Sequence, residues 1–283
     1  MGHGGEAIAY ELRGSRVLRV YHQPAVDLDA LAHFYDALDA VGTGWTLPTI
    51  LEYGEADGVA WCVQRLVPGR TLIDVLPALR GDDRRRALDS YLDGAELVAS
   101  IGCAIDGRYG EPLPEDGELW CDTWTGYLRA RVERELPRCE RLLREDLIDV
   151  AAVLAALDER IAALPERPPA ALVHGDYFPG NVIIGDDLRV TGVIDFGPLS
   201  AIGDRMMDIA SAAIFLEVQR SWQPEDSAYV AQRLLERHGD AARVATDAYR
   251  PWYGLRLAHA RDQDRRLYAW CIDALRSVTA HGG

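Results

Sequence analysis

The first residues of the chain pattern as strands. Ala7 to Leu12 and Arg16 to Tyr21 are short apolar-rich runs on either side of Arg13-Gly14-Ser15, which is the composition of a hairpin and its turn. Asp27 then has the place of a helix N-cap, with Leu28, Leu31, Tyr35 and Leu38 on one helical face and Gly42 as the stop. Pro48 to Gly54 and Val59 to Leu66 predict two further extended segments. Val67-Pro68-Gly69 interrupts the pattern and sets the expected boundary between a unit over 1–67 and another over 68–283. Beyond it, apolar spacing predicts helices over 71–79, 82–104, 122–145 and 146–164, with a loop rich in Gly, Pro and acid from Asp106 to Trp120. Leu172-Val173, Val182 to Ile184 and Val190 to Ile194 read as short strands. Helices resume near Asp204 and run to about Val278, with breaks expected at Pro224, Gly239 and Pro251. The class is α+β: a small β-rich lobe, a hinge, and a large helical lobe carrying a β-ribbon.

Composition changes this picture in three ways. The net charge of −15 over 283 residues is the wrong sign for a nucleic-acid partner, which needs clustered cations to displace counterions. It would draw cationic partners instead, within a Debye length of roughly 8 Å at physiological salt. All 30 basic residues are Arg and none is Lys, so Schiff-base chemistry and the Walker-type phosphate loop are excluded. Any cation that grips phosphate here is an arginine. The five cysteines form no C-x-x-C pair, which points to reduced thiols rather than zinc or disulfides. The absence of a leader or a long apolar run leads us to expect a cytoplasmic protein with no membrane partner.

The chemistry concentrates in Val173-His174-Gly175-Asp176-Tyr177-Phe178-Pro179-Gly180-Asn181, followed by Val193-Ile194-Asp195-Phe196-Gly197. An Asp and an Asn five residues apart on a loop, then a second Asp leaving a strand, can converge on one point. Phosphoryl transfer demands that convergence, with one carboxylate to receive a hydroxyl proton and oxygen ligands to hold Mg²⁺ on the phosphates.

These motifs resemble the aminoglycoside phosphotransferase family, antibiotic and choline-kinase-like small-molecule kinases related to protein kinases. The organisation is similar over nearly the whole chain, and the specific motifs sit within 173–208. The resemblance implies a two-lobed protein-kinase-like fold, with a nucleotide-binding lobe over 1–67 and catalytic loop and acceptor site within 68–283. It implies Asp176 as catalytic base, Asn181 and Asp195 as Mg²⁺ ligands, and ATP or GTP as donor. Val63 to Val67 becomes the hinge, where backbone groups of Gln64 and Leu66 meet the nucleobase. Gly203-Asp204-Arg205-Met206-Met207-Asp208 resembles the family's G-D-P-x-x-D, with Arg205 for Pro. Asp204 would then cap a helix and Asp208 would brace the catalytic loop, while His174 would position that loop.

Two features depart from the family pattern. Gly4 and Gly5, with Gly2, are candidates for a phosphate-covering loop, but they lie at the extreme N-terminus. Arg19 stands where many kinases place Lys, and Asp29, Asp36 and Asp39 are its candidate partners. Residues 68–283 hold 36 acids against 26 arginines. Together with that acidity, the resemblance to kinases of polycationic antibiotics implies a cationic small-molecule acceptor such as an aminoglycoside, with Glu217 as its first ligand and Asp262, Asp264 and the acids of the Asp106–Asp122 loop following. A metabolic alcohol or sugar kinase and a macrolide kinase are the alternatives within this fold. A nucleotide-binding pseudokinase is the alternative of another class, and it has no need of Asp176.

Overall fold

The computed structural model describes residues 2–3, 7–22, 27–102, 107–114, 117–218 and 223–279. Its N-terminal part is an antiparallel sheet in the order β1-β2-β3-β5-β4, formed by β1 (Gly2–His3), β2 (Ala7–Leu12), β3 (Arg16–Tyr21), β4 (Ile50–Ala56) and β5 (Val59–Arg65). The β2–β3 hairpin pairs Ala7 with Tyr21 through Leu12 with Arg16, so the turn falls at Arg13-Gly14-Ser15, as the sequence predicts. Helix α1 (Leu28–Val41) lies against β4 and buries Leu28, Leu31, Tyr35 and Leu38. Asp27 caps it through the Ala30 amide, and Gly42 ends it in the left-handed conformation.

The chain leaves this sheet at Val67-Pro68-Gly69 and is at once stitched to the helical part. β6 (Arg70–Thr71) pairs with β10 (Val182–Ile184), which pairs in turn with β11 (Val190–Val193). Gly69 has φ of 130°, and any side chain there would collide with the Ile184 carbonyl, so only glycine fits the crossing. After α2 (Leu72–Val75) and a 3₁₀ turn come α3 (Gly81–Val98), α4 (Trp124–Asp146) and α5 (Val150–Ala162). A third sheet has the order β8-β7-β12-β9, from β7 (Tyr109–Gly110), β8 (Trp120–Cys121), β9 (Ala170–Val173) and β12 (Ala201–Asp204). Helices α6 (Met206–Ile214), α7 (Pro224–His238), α8 (Asp240–Leu257) and α9 (Arg265–Ser277) complete the fold.

Three sequence expectations change. Helix α3 stops at Val98 because the following residues join a sheet edge: Gly102 bridges Ala171, and the Leu172 amide donates to Ile101. Pro251 does not break a helix but sits inside α8, flanked by buried Tyr249, Trp252 and Tyr253. Burying that aromatic cluster offsets the roughly 3 kcal/mol that an internal proline costs. The segment expected as a loop before Trp120 carries β7 and ends at β8. The described cysteines Cys62, Cys121, Cys139 and Cys271 are free, and no helix among the described residues is long and apolar enough to cross a membrane.

Trp124, fully buried, ties α4 to the third sheet. Its indole Nε1 donates to the Tyr249 hydroxyl, which donates to Asp204, and its ring lies over Gly203. A methyl group at Gly203 would overlap that ring. Gly203→Ala is expected to cost about 1–3 kcal/mol through overpacking. The urea midpoint reads this directly, and an unchanged midpoint would show that the ring has room to move.

Candidate active site

β9 runs into His174-Gly175-Asp176, and the loop beyond it is held from three sides. Asp208, fully buried in the first turn of α6, accepts the His174 and Gly175 amide hydrogens on its two carboxylate oxygens. Gly175 takes φ of 78°, and a side chain there would strike the Leu199 carbonyl. The His174 ring accepts the Asp176 N–H on Nδ1 (3.2 Å) and donates from Nε2 to the Ile194 carbonyl (2.9 Å). Burial lowers its pKa to about 4, so the ring is neutral with both nitrogens engaged. That is a positioning role. On the α3 side, Tyr91 and Tyr177 stack at 5.0 Å and exchange hydroxyl-to-carbonyl hydrogen bonds, each 2.7 Å.

The same loop brings the expected residues together. Asn181 Nδ2 donates to the Asp176 carbonyl (3.0 Å) and carboxylate (2.9 Å), which leaves its amide oxygen free of a described protein partner. Asp195 leaves β11 with φ of 69°, a left-handed conformation that costs a non-glycine residue about 1–3 kcal/mol. Its carboxylate meets Arg19 at 2.7 Å, and the Arg19 guanidinium lies over the Tyr21 ring at 5.3 Å. The partner of Arg19 thus comes from the opposite lobe and not from α1. Asp29 accepts from Tyr53, and Asp39 pairs with Arg65. The Tyr35 hydroxyl, on α1, is buried, and its ring sits edge-on to Phe196.

Two cavities meet at this point. The first, about 410 Å³, lies between the N-terminal sheet and the ribbon, and Arg19, Gln64, Leu66, Asn181 and Asp195 line it. The second, about 550 Å³, is lined by Asp176 and Asp264 among apolar residues that include Leu199, Phe215, Leu257 and Leu267. Ile73 and Phe178 line both cavities. The Asp176–Asn181 hydrogen bond therefore joins a group on one cavity to a group on the other.

Other expected residues fare differently. Gly4 and Gly5 lie outside the described residues. The Leu66 N–H donates to the Ser15 carbonyl (2.8 Å), so it is not available to a base. Gln64 offers instead its side chain, 4% exposed, whose amide nitrogen has no partner. Glu217, expected as the leading acceptor ligand, accepts from Arg250 (3.0 Å) and Trp270 (2.9 Å) and does not line the second cavity. Asp262 is likewise off the cavity, with its side chain 93% exposed beside Arg261. Asp264 does line it, while one of its oxygens caps α9 through the Arg266 and Leu267 amides. In the loop before Asp122, Glu111 is buried against Tyr127 and Arg131. The apolar wall escaped sequence reasoning because Phe215 or Leu257 has the composition of core.

No cluster of three or more His, Cys, Asp or Glu side chains among the described residues could hold a metal by itself. The Asn181 amide oxygen and Asp195 carboxylate offer two hard oxygen ligands on the first cavity, which suits a Mg²⁺ that takes its other ligands from phosphates and water.

Burial pushes Asp208 up to about 7, against the two amide hydrogen bonds that lower it. The folded protein then binds this proton more readily than the unfolded chain, whose value is near 3.8. The Asp208 contribution to stability is complete below that value and is lost as pH rises towards about 7. Thermal melts across this window should show a decline in the wild type that Asp208→Asn lacks. Parallel curves would mean that Asp208 titrates as a solvated carboxylate.

Comparison with known proteins gives a consistent answer. Residues 2–255 match the model of the phosphotransferase enzyme family. The chain is 31% identical over 238 residues to an aminoglycoside 3′-phosphotransferase of Streptomyces fradiae, covering 83% of this chain and 81% of that protein. It is 26% identical over 171 residues to a hygromycin-B 4-O-kinase of Escherichia coli, covering 58% and 46%. In structure it is similar to a thermostable mutant of aminoglycoside phosphotransferase APH(4)-Ia, solved with AMP-PNP and hygromycin B. There the TM-score is 0.70 at 20% identity, over 100% of this chain and 94% of the other. The match over most of its length, with the Streptomyces relative above 30% identity, places this chain in the phosphotransferase enzyme family.

Proposed function

We propose that the protein transfers the γ-phosphoryl group of a nucleoside triphosphate to a hydroxyl of an aminoglycoside-type antibiotic. The observation that carries this reading is the pair of adjoining cavities, joined by the 2.9 Å hydrogen bond between Asp176 and Asn181. One cavity has the features a nucleotide needs and the other opens on a carboxylate that can serve as base. The curated relatives named as aminoglycoside and hygromycin-B kinases support the acceptor class. In this reading the protein works in the cytoplasm, where both nucleotide and drug would reach it.

In this reading residues 1–67 form the nucleotide lobe. The base lies towards the linker, where the buried Gln64 amide lacks a partner and a ring nitrogen or carbonyl could supply one. Arg19 holds phosphate oxygens, exchanging the Asp195 carboxylate for them. Mg²⁺ held by Asn181 and Asp195 would neutralise charge on the phosphates. Asp176, aimed by its backbone bond to His174 and its side-chain bond to Asn181, receives the acceptor hydroxyl's proton as the oxygen attacks phosphorus.

The test is a phosphorylation screen with Mg²⁺ and either ATP or GTP. Its acceptors are hygromycin B, an aminoglycoside with a free 3′-hydroxyl, a macrolide and small alcohols. Turnover is expected with an aminoglycoside, and Asp176→Ala should reduce it by about 10²–10⁴-fold or more. A variant that keeps most of its activity would remove Asp176 from the role of base.

A second outcome concerns the donor alone. Arg19→Met should raise the nucleotide KM by about tenfold or more, the scale of a lost charge-assisted hydrogen bond, while leaving the acceptor KM near its original value. An unchanged nucleotide KM would sink the assignment of Arg19.

A further inference from the structure

The second cavity has the wrong lining for a site that works by charge. Among the described residues of 68–283, Asp176 and Asp264 are the only acids that reach it. Asp176 is the candidate base, and Asp264 already caps a helix. Many of the other acids answer arginines elsewhere: Asp226 with Arg84, Glu135 with Arg131 and Arg256, Glu145 with Arg261, Glu96 with Arg237 and Glu217 with Arg250. The rest of the wall formed by the described residues is hydrocarbon. Phe178, Val218, Leu257 and Leu267 are only partly covered, although each packs onto the hydrophobic core that α4, α5, α8 and α9 share, and Phe215 is buried behind them. Apolar surface left open in a cavity favours an occupant that covers it. Isolated ion pairs at an exposed carboxylate add little by comparison.

We infer that this cavity holds its acceptor by an apolar face. The occupant is a hydroxylated ring whose C–H surface lies on Phe178, Leu257 and Leu267, with the reacting hydroxyl at Asp176 and no more than one ammonium group near Asp264. A sugar ring is built for this, since one of its faces presents mainly C–H groups and its hydroxyls project from the rim. The acceptor remains cationic, but its other charges point to solvent and add little to affinity. This rests on the phosphotransferase reading above and narrows it: recognition selects the ring that is modified, not the number of amines.

The two modes of binding predict opposite signs when a carboxylate is added to the wall. Leu267→Glu places one beside the occupant, and Leu257→Glu does so from the neighbouring helix, which keeps the test available should either variant fail to fold. With hygromycin B as probe, or whichever aminoglycoside the screen finds active, both variants should raise the acceptor KM by about tenfold, with a smaller change in kcat. The nucleotide KM should stay constant. For the wild type, acceptor KM should rise less than about twofold between low and physiological salt, because few charges are being screened. A lower or unchanged KM in a folded variant would overturn the inference, and so would a steep salt dependence of the wild type. A wild type that binds nucleotide yet phosphorylates no acceptor in the screen would instead overturn the proposed function itself.

Discussion

The Asp208 carboxylate is sealed from solvent at the first turn of α6, where it receives the amide hydrogens of His174 and Gly175 and so determines where β9 ends. Every other feature of the site is measured from that point. With those two amides fixed, Gly175 must turn through a left-handed conformation, Asp176 must face the cavities, and the His174 ring falls between the Asp176 amide and the Ile194 carbonyl. An ionised carboxylate without water is costly. Two amide donors and the positive end of α6 offset part of that cost, and burial still leaves Asp208 near neutrality. The fold accepts a weak point in its core because one short carboxylate can satisfy two adjacent N–H groups that no apolar residue could.

Rigidity on the Asp208 side contrasts with the contact across the lobes. The Arg19–Asp195 pair is half open, with side chains 16% and 44% exposed. Asp195 is open enough for water to screen the pair, so a phosphate could take the carboxylate's place on Arg19. The strain at Asp195 works in the same direction. A left-handed aspartate is held by its neighbours and not by its own preference, so its carboxylate keeps its aim when its arginine leaves. In a chain without lysine, the proposed function would make one arginine both the partner of Asp195 and the contact to phosphate. The planar guanidinium suits that double use because carboxylate and phosphate present similar pairs of oxygens.

What the sequence reveals, and what it hides, divides along the range of the interactions. The β2–β3 turn, the Asp27 cap, the buried face of α1 and the loop from His174 to Asn181 all follow from residues within one turn or hairpin of each other. The partner of Arg19 lies 176 positions further along at Asp195, and no local pattern points to it. Glu217 looked like a free acid because Arg250 and Trp270 reach it from two other helices. Leu66 looked like an available hinge amide because its acceptor, the Ser15 carbonyl, is set by how the hairpin lies beside β5. Pro251 read as a break because the helix penalty is local, whereas the aromatic packing that outweighs it is not. The apolar wall of the second cavity was hidden for a related reason. A leucine facing a ligand and one facing the core differ only in what lies opposite.

The net charge of −15 then has a different place in the argument from the one composition suggests. Many of the carboxylates are paired with arginines along helix faces, as at Arg141–Glu145, Arg144–Glu140 and Arg233–Glu236, where they line neither of the two cavities. Their sum still sets the sign of the field at a distance, and a polycationic molecule approaching this surface is attracted before it touches anything. Attraction of that kind raises encounter rates and fades within a Debye length in salt, whereas the binding that follows is decided by the groups in contact. Acidity and the apolar cavity therefore act at different stages. On the proposed reading, the surface would gather cations without choosing among them, and the wall formed by Phe178, Leu257 and Leu267 beside Asp176 would select the ring that can lie flat enough to bring a hydroxyl to the base.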